Sequence, residues 1–165
     1  MEQDKNIVKT SMALAHHGEV EFIAESLGHH LLPEIQVAFK EKVDRYIHKT
    51  GRDVIIARIN EHIVGYCMVI ENLELPDSLS PDIHKRLSTY GCITGLGVNP
   101  EWRRNGIGVR LVKEGISWME HRGLPGLWLR TRVMSEWYKK NLQFEIVGSM
   151  IVKKTVIKAI LAKSL

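Results

Sequence analysis

The residues best placed to do chemistry lie in one stretch, Gly95-Leu96-Gly97-Val98-Asn99-Pro100-Glu101-Trp102-Arg103-Arg104-Asn105-Gly106-Ile107-Gly108. A run with strand character ends at Val98, Asn99-Pro100 turns the chain, and Gly106 and Gly108 open a helical pattern. A helix start presents backbone N–H groups that have no carbonyl to meet, together with the positive end of the helix dipole. Glycine lets a ligand come close to that backbone. Arg103, Arg104 and nearby Arg110 add positive charge. The chemistry this suits is anion binding, most naturally of a pyrophosphate. Two glycines at a helix start also serve tight packing, and that reading stands beside the first. Other phosphate-binding patterns are absent. No Gly-Lys-Ser/Thr occurs, and Leu111 stands where a dinucleotide fingerprint needs its third glycine. Neither His-Glu-x-x-His nor Gly-x-Ser-x-Gly is present.

The elements around this stretch follow from periodicity. Residues 7–14 make a weak first strand. Val20, Ile23 and Leu27 share one helical face before Gly28, and Pro33 opens a second helix with Ile35, Phe39, Val43, Tyr46 and Ile47 inward. Two apolar runs, 53–59 and 63–70, flank the polar turn Asn60-Glu61-His62 and predict a β-hairpin covered on both faces. Residues 71–91 read as a long loop with one helical turn near 84–87. A strand over 92–98 precedes the glycines. A helix then runs to about His121 with Ile107, Leu111, Val112, Trp118 and Met119 inward, and Gly123 stops it. Residues 127–131 form a short strand, Ser135 caps a helix reaching Asn141, and 144–156 form a strand. The apolar residues Val156, Ile157, Ile160 and Leu161 form a last strand or a basic amphipathic segment packed on a second copy in a homodimer. The order predicts a mixed α/β or α+β sandwich.

Length and composition fit this. The 165 residues suffice for one domain spanning 1–165, and 44% hydrophobic with 25% charged residues is ordinary for a packed protein. No apolar run approaches the roughly 20 residues that span a bilayer, and no secretory signal opens the chain, so no membrane role and a cytoplasmic location are expected. Cys67 and Cys92 read as free thiols, and neither they nor the eight histidines show metal-ligand spacing, so no metal is expected. Four of the 23 lysines and arginines fall in 153–165, which holds no acid; the other 19 match the 19 carboxylates. A body this neutral argues against a nucleic-acid partner.

At these residues the chain resembles the GNAT superfamily of acetyl-CoA-dependent N-acetyltransferases. Arg103-Arg104-Asn105-Gly106-Ile107-Gly108 matches that family's Arg/Gln-x-x-Gly-x-Gly/Ala signature in full. Leu96-Gly97-Val98 with Pro100 resembles its fourth strand, and Trp137-Tyr138-Lys139-Lys140 with Phe144 resembles its aromatic-Tyr-x-Lys…Gly-Phe segment. The resemblance covers about 53–152, with 1–50 matching by element order alone. It implies a mixed, mostly antiparallel sheet of about six to seven strands flanked by about four helices. It further implies that the fourth and fifth strands splay apart to admit the pantetheine of acetyl-CoA. The backbone of Leu96 and Val98 then holds that arm, and Arg103, Arg104, Asn105, Gly106, Ile107 and Gly108 hold the pyrophosphate. Tyr138 matches the family's general acid. The implied reaction is direct transfer of acetyl from acetyl-CoA to a primary amine of a small molecule or protein; the other reading is a non-catalytic acyl-CoA-binding or regulatory module on the same fold. Four positions depart from the pattern. Cys92 and Thr94 stand where many members carry a basic Glu or His, leaving Glu71, Glu74, His84 or a water chain as candidates. Thr131 replaces a frequent Asn, and Gln143 replaces the Gly before Phe144.

Overall fold

A computed structural model describes residues 10–28, 31–152 and 156–165. Residues 7–9 of the expected first strand, the His29-His30 pair and the tail lysines Lys153 and Lys154 lie outside the described residues.

Seven strands form one sheet in the order β1-β2-β3-β4-β5-β7-β6. They are β1 (Thr10–Leu14), β2 (Arg52–Ile59), β3 (His62–Ile70), β4 (Gly91–Val98), β5 (Gly126–Thr131), β6 (Glu145–Val152) and β7 (Val156–Ser164). All neighbours run antiparallel except β4 and β5. The helices are α1 (Val20–Gly28), α2 (Pro33–Ile47), α3 (Pro81–Leu87), α4 (Ile107–His121) and α5 (Ser135–Leu142). The fold is thus a mixed α/β sandwich, as expected, with one helix more.

Two cores flank the sheet. Ile23, Val43, Tyr46, Val54, Ile56, Met68, Cys92, Trp128 and Ile160 join α1 and α2 to one face. Ile55, Cys67, Val69, Leu111, Met119, Leu127, Leu129 and Tyr138 join α4 and α5 to the other. Alternation along each strand sends neighbours to opposite cores, which is why β2 and β3 are apolar at nearly every position. Buried on α4 are the five residues its periodicity named, together with Gly115. Trp118 Nε1 donates to Asp53 at 2.6 Å and fastens its far end to β2.

Four expectations need correction. The 71–91 loop contains α3, a full short helix started by Pro81. Ile35 is exposed; of α2, Phe39, Val43 and Tyr46 are buried and Ile47 packs against the core in part. The strand expected over 144–156 ends at Val152, and the chain returns as β7 between β5 and β6. The apolar residues of 156–161 therefore belong to an interior strand of the chain's own sheet, not to a tail on a second copy. Ser135 is the first residue of α5 rather than its cap; the Thr131 hydroxyl accepts from Met134 N at 3.1 Å instead.

Candidate active site

The central feature is a parting of two strands. β4 pairs with β5 only from Gly91 to Ile93, opposite Leu127 to Leu129. Beyond that point β4 keeps only β3, with Gly95 to Val98 opposite Met68 to Gly65. The cause lies in the register: Ile93 faces Val69 and Gly95 faces Met68, so Thr94 is an extra residue. A bulge of this kind bends and twists its strand away from a neighbour. The edge of β4 that would have met β5 is left open over Gly95–Val98.

On the α2 side the bulge is pinned. Lys42 donates to the Thr94 carbonyl at 2.9 Å, and the hydroxyls of Tyr46 and Thr94 meet at 2.5 Å. On the α4 side the open edge continues into a cavity of about 470 Å³. Leu96, Gly97, Val98, Arg103, Arg104, Gly106, Ile107 and Gly108 line it, with Trp102, Val109, Met134 and Trp137. Every cofactor-binding residue expected from the sequence except Asn105 therefore meets in one place. Asn105 turns its amide to the carbonyls of Trp102 and Arg103, both at 3.2 Å, and shapes the loop.

The loop delivers backbone donors to this cavity. Gly106 is the N-cap of α4 and sits in the left-handed region at φ 72°, where an added Cβ would meet nothing within 4 Å. Its glycine is demanded by backbone conformation, and the space in front of it is open. The first amide of α4 with a helical partner is Arg110, at 3.1 Å from the Gly106 carbonyl, so the donors before it point out of the helix end. Arg104 also has a positive φ of 66°. Arg103 Nε donates to the Val98 carbonyl at 3.1 Å and ties the loop to β4. Arg110 does not join the cluster: its guanidinium donates to the Thr10 carbonyl at 2.6 Å and fastens α4 to β1. Gly97 has a different reason from Gly106. A Cβ there would run into the Tyr66 ring, so its glycine answers to packing on the α2 face.

Tyr138 is not among the residues that line the cavity; it is buried beside Trp137, which is. Its ring meets Trp137 edge-on at 4.9 Å and Phe144 at 5.5 Å. Burial, with a smaller contribution from Cys67, holds its phenol pKa well above the ordinary tyrosine value. The phenol is therefore neutral, a donor, throughout the physiological range. Phe144 is positioned by Gln143, which takes φ 58° at the end of α5, the conformation a glycine would supply.

The base candidates fall away from this place. Glu71 is paired with Arg122 at 2.8 Å near the end of α4, and Glu74 and His84 are exposed. No Asp, Glu or His is among the residues that line the cavity. Burial raises the Cys92 thiol above the usual thiol range, against the pull of Arg130 and Lys42, and removes it as a base. The sequence reading missed Lys42 and Trp102. Lys42 lies one residue before the inward Val43, and nothing in the spacing of α2 marks it.

Comparisons with known proteins agree with the geometry. No curated protein sequence matches the chain. Among solved structures, the aminoglycoside 6'-acetyltransferase type Ii superposes with TM-score 0.71 at 21% identity, covering 93% of this chain and 96% of that one. The ribosomal-protein-S18-alanine N-acetyltransferase of Escherichia coli gives 0.68 at 14%, covering 94% of each. The PaiA N-acetyltransferase of Thermoplasma acidophilum, solved with coenzyme A, gives 0.67 at 14%, covering 95% and 99%. At these identities the likeness is one of fold. The model of the acetyltransferase (GNAT) family matches residues 21–141, which takes in the bulge, the open edge of β4, the loop and α5. A match over that much of the chain, with the family signature at the mouth of the cavity, places this protein in the GNAT acetyltransferase family.

Proposed function

We propose that the protein transfers an acetyl group from acetyl-CoA to a primary amine of a small molecule or protein. The observation that carries this is the continuous opening from the left-handed Gly106 at the start of α4 along the unpaired edge of β4. Its parts fit the cosubstrate: outward amides and two arginines for a pyrophosphate, a strand edge for a chain of amides, apolar walls for the rest. Acetyl-CoA supplies the acetyl group as a thioester, whose C–S bond breaks as the acceptor nitrogen forms a C–N bond and gives up its proton to solvent. The amides of residues 104–108 take the pyrophosphate, with Arg103 and Arg104 beside them. The backbone of Leu96 and Val98 holds the pantetheine amides and aims an N–H at the carbonyl oxygen, where negative charge develops. Tyr138 donates to the departing sulfur. An ordinary phenol lies about 1.5 pKa units above a thiol, so complete transfer is uphill by roughly 2 kcal/mol, and burial of Tyr138 steepens it. Hydrogen-bond donation in the transition state is thus the larger part of its role.

The test measures CoA release with a panel of amines, alongside binding of acetyl-CoA. A ligand at 100 times its dissociation constant stabilises by about 2.7 kcal/mol, so a melting shift is expected. Tyr138→Phe keeps the ring, and turnover is expected to drop about 10²–10⁴-fold with CoA affinity retained. A folded Phe variant with normal turnover overturns the acid. The cavity lined by no carboxylate or imidazole favours a second reading, a non-catalytic acyl-CoA-binding module. Tight acetyl-CoA binding with no amine turned over establishes that one.

A further inference from the structure

We propose that the acceptor amine carries an anionic group, a carboxylate or a phosphate, which docks on Lys42, Arg130 and Lys158 at the α2 side of the gap between β4 and β5. This rests on the acetyl-transfer reading and names its acceptor class.

The three cations come from three elements to one place. Trp128 of β5 and Ile160 of β7 both face the α2-side core. Arg130 lies two residues beyond Trp128 and Lys158 two before Ile160, so strand alternation brings both to that same face. Arg130 pairs in register with Ile160, and β5 has lost β4 by then, so Arg130 stands at the margin of the gap. Lys42 reaches the gap from α2, where it holds the bulge carbonyl of Thr94. That bond uses one of its three donors. Around Tyr46 the positive field continues, with Lys42 Nζ at 5.8 Å and Arg52 Cζ at 5.6 Å from the ring.

These charges are left uncompensated. Lys40, Arg58, Arg86, Arg122 and Lys139 each have a carboxylate partner. Among the described residues, Lys42, Arg45, Arg130 and Lys158 have none, as is true of most other lysines and arginines here; what sets these apart is that they stand close enough to act on one another. Arg45 Nε donates to its own helix, to the Glu41 carbonyl at 3.3 Å, and Arg130 reaches the Met150 sulfur at 3.9 Å. Burial first, and then the like charges of Arg130, Arg45 and Lys158, lower the pKa of Lys42 despite an opposing pull from Cys92. The fold gains nothing from gathering like charges at a partly buried point, whereas a bound anion gains from all of them. The cavity of the α4 side runs along the part of β4 that this gap leaves unpaired. An amine whose anionic end is held by the cluster therefore has its nitrogen on the side from which the β4 edge is reached.

The experiment uses matched pairs, β-alanine against β-alaninamide and O-phosphoethanolamine against ethanolamine, each with saturating acetyl-CoA and CoA release as readout. At least one anionic member is expected to exceed its neutral partner tenfold or more in kcat/KM, and the pair that responds distinguishes carboxylate from phosphate. In Arg130→Gln, an exposed position expected to fold, that ratio falls toward one. Neutral partners used equally well or better, or an unchanged ratio in Arg130→Gln, overturns the proposal. If none of the four turns over, calorimetry with CoA present decides. Anionic probes binding tenfold tighter than neutral ones, and losing this in Arg130→Gln, sustain the subsite; equal binding refutes it. Failure of acetyl-CoA itself to bind refutes the acetyl-transfer reading and is read separately.

Discussion

The two sides of the strand gap are built in different ways. On the α4 side the proposed cosubstrate site is made of backbone: the amides at a helix start, the edge of β4, and a glycine in the left-handed region. Contiguous backbone needs contiguous sequence, so that side is announced by Arg103-Arg104-Asn105-Gly106-Ile107-Gly108. On the α2 side the proposed acceptor site is made of side chains of four elements, Lys42, Thr94, Arg130 and Lys158, which are up to 116 positions apart in sequence. No spacing rule joins them. A cosubstrate shared across a family suits the first construction, and an acceptor that differs from member to member suits the second.

The comparison breaks most readily at Gly106. Valine there must adopt a positive φ that a β-branched residue resists, at a stability cost of about 1–2 kcal/mol, and its side chain occupies the anion's approach. Affinity for CoA is expected to fall by about a hundredfold or more, roughly 2.7 kcal/mol, measured by calorimetry on a variant shown to be folded. Retained affinity means that backbone at the helix start does not hold the pyrophosphate.

The thiols sharpen the comparison, since Cys67 belongs to the α4-side core and Cys92 to the α2-side core. Burial pushes the Cys67 pKa up to about 12. An unfolded thiol ionises near 8.5, so the unfolded state loses its proton first as pH rises. The stability held at neutral pH is complete below about pH 8 and declines as pH climbs toward 12, by about 1.4 kcal/mol per pH unit for each such thiol. Urea midpoints between pH 7.5 and 10 are expected to fall, and Cys67→Ala removes about 2 kcal/mol of that slope. An unchanged slope means that Cys67 is not sealed as described. Cys92, with Lys42 and Arg130 pulling the other way, provides the second measurement on the cationic side.

The smallest expected effect tests the end of α5. Gln143 occupies the left-handed region at φ 58°. Gln143→Gly releases that strain and adds unfolded-state entropy, for a net gain under about 1 kcal/mol, whereas Gln143→Val loses about 1–2 kcal/mol. Thermal melts of the two variants should move in opposite directions. A loss in the glycine variant means that the Gln143 side chain supports Phe144 in a way its backbone does not reveal.

Most of the fold was legible because most elements carry a strong period. The inward residues of α1 and α4 and the 53–70 hairpin are found where alternation and three-to-four spacing put them. The misses have local causes. α3 is short and bounded by prolines and serines that read as loop. Ile35 shares the apolar period of α2 but is left exposed in the first turn of that helix. Arg110 belongs by sequence to the cationic loop, yet one turn of helix carries it round to β1.

Sequence by itself determined the family, the helix-start amides and the glycines that let a ligand approach them, because each depends on residues within one turn of one another. The tertiary structure alone decided that an extra residue at Thr94 opens β4 from β5, and that β7 enters between β5 and β6. It also decided that Lys42, Arg130 and Lys158 share a face without a carboxylate among them. Register and strand order arise from pairings between distant segments, and a charge has no partner or has one only when the chain has brought the other elements to it.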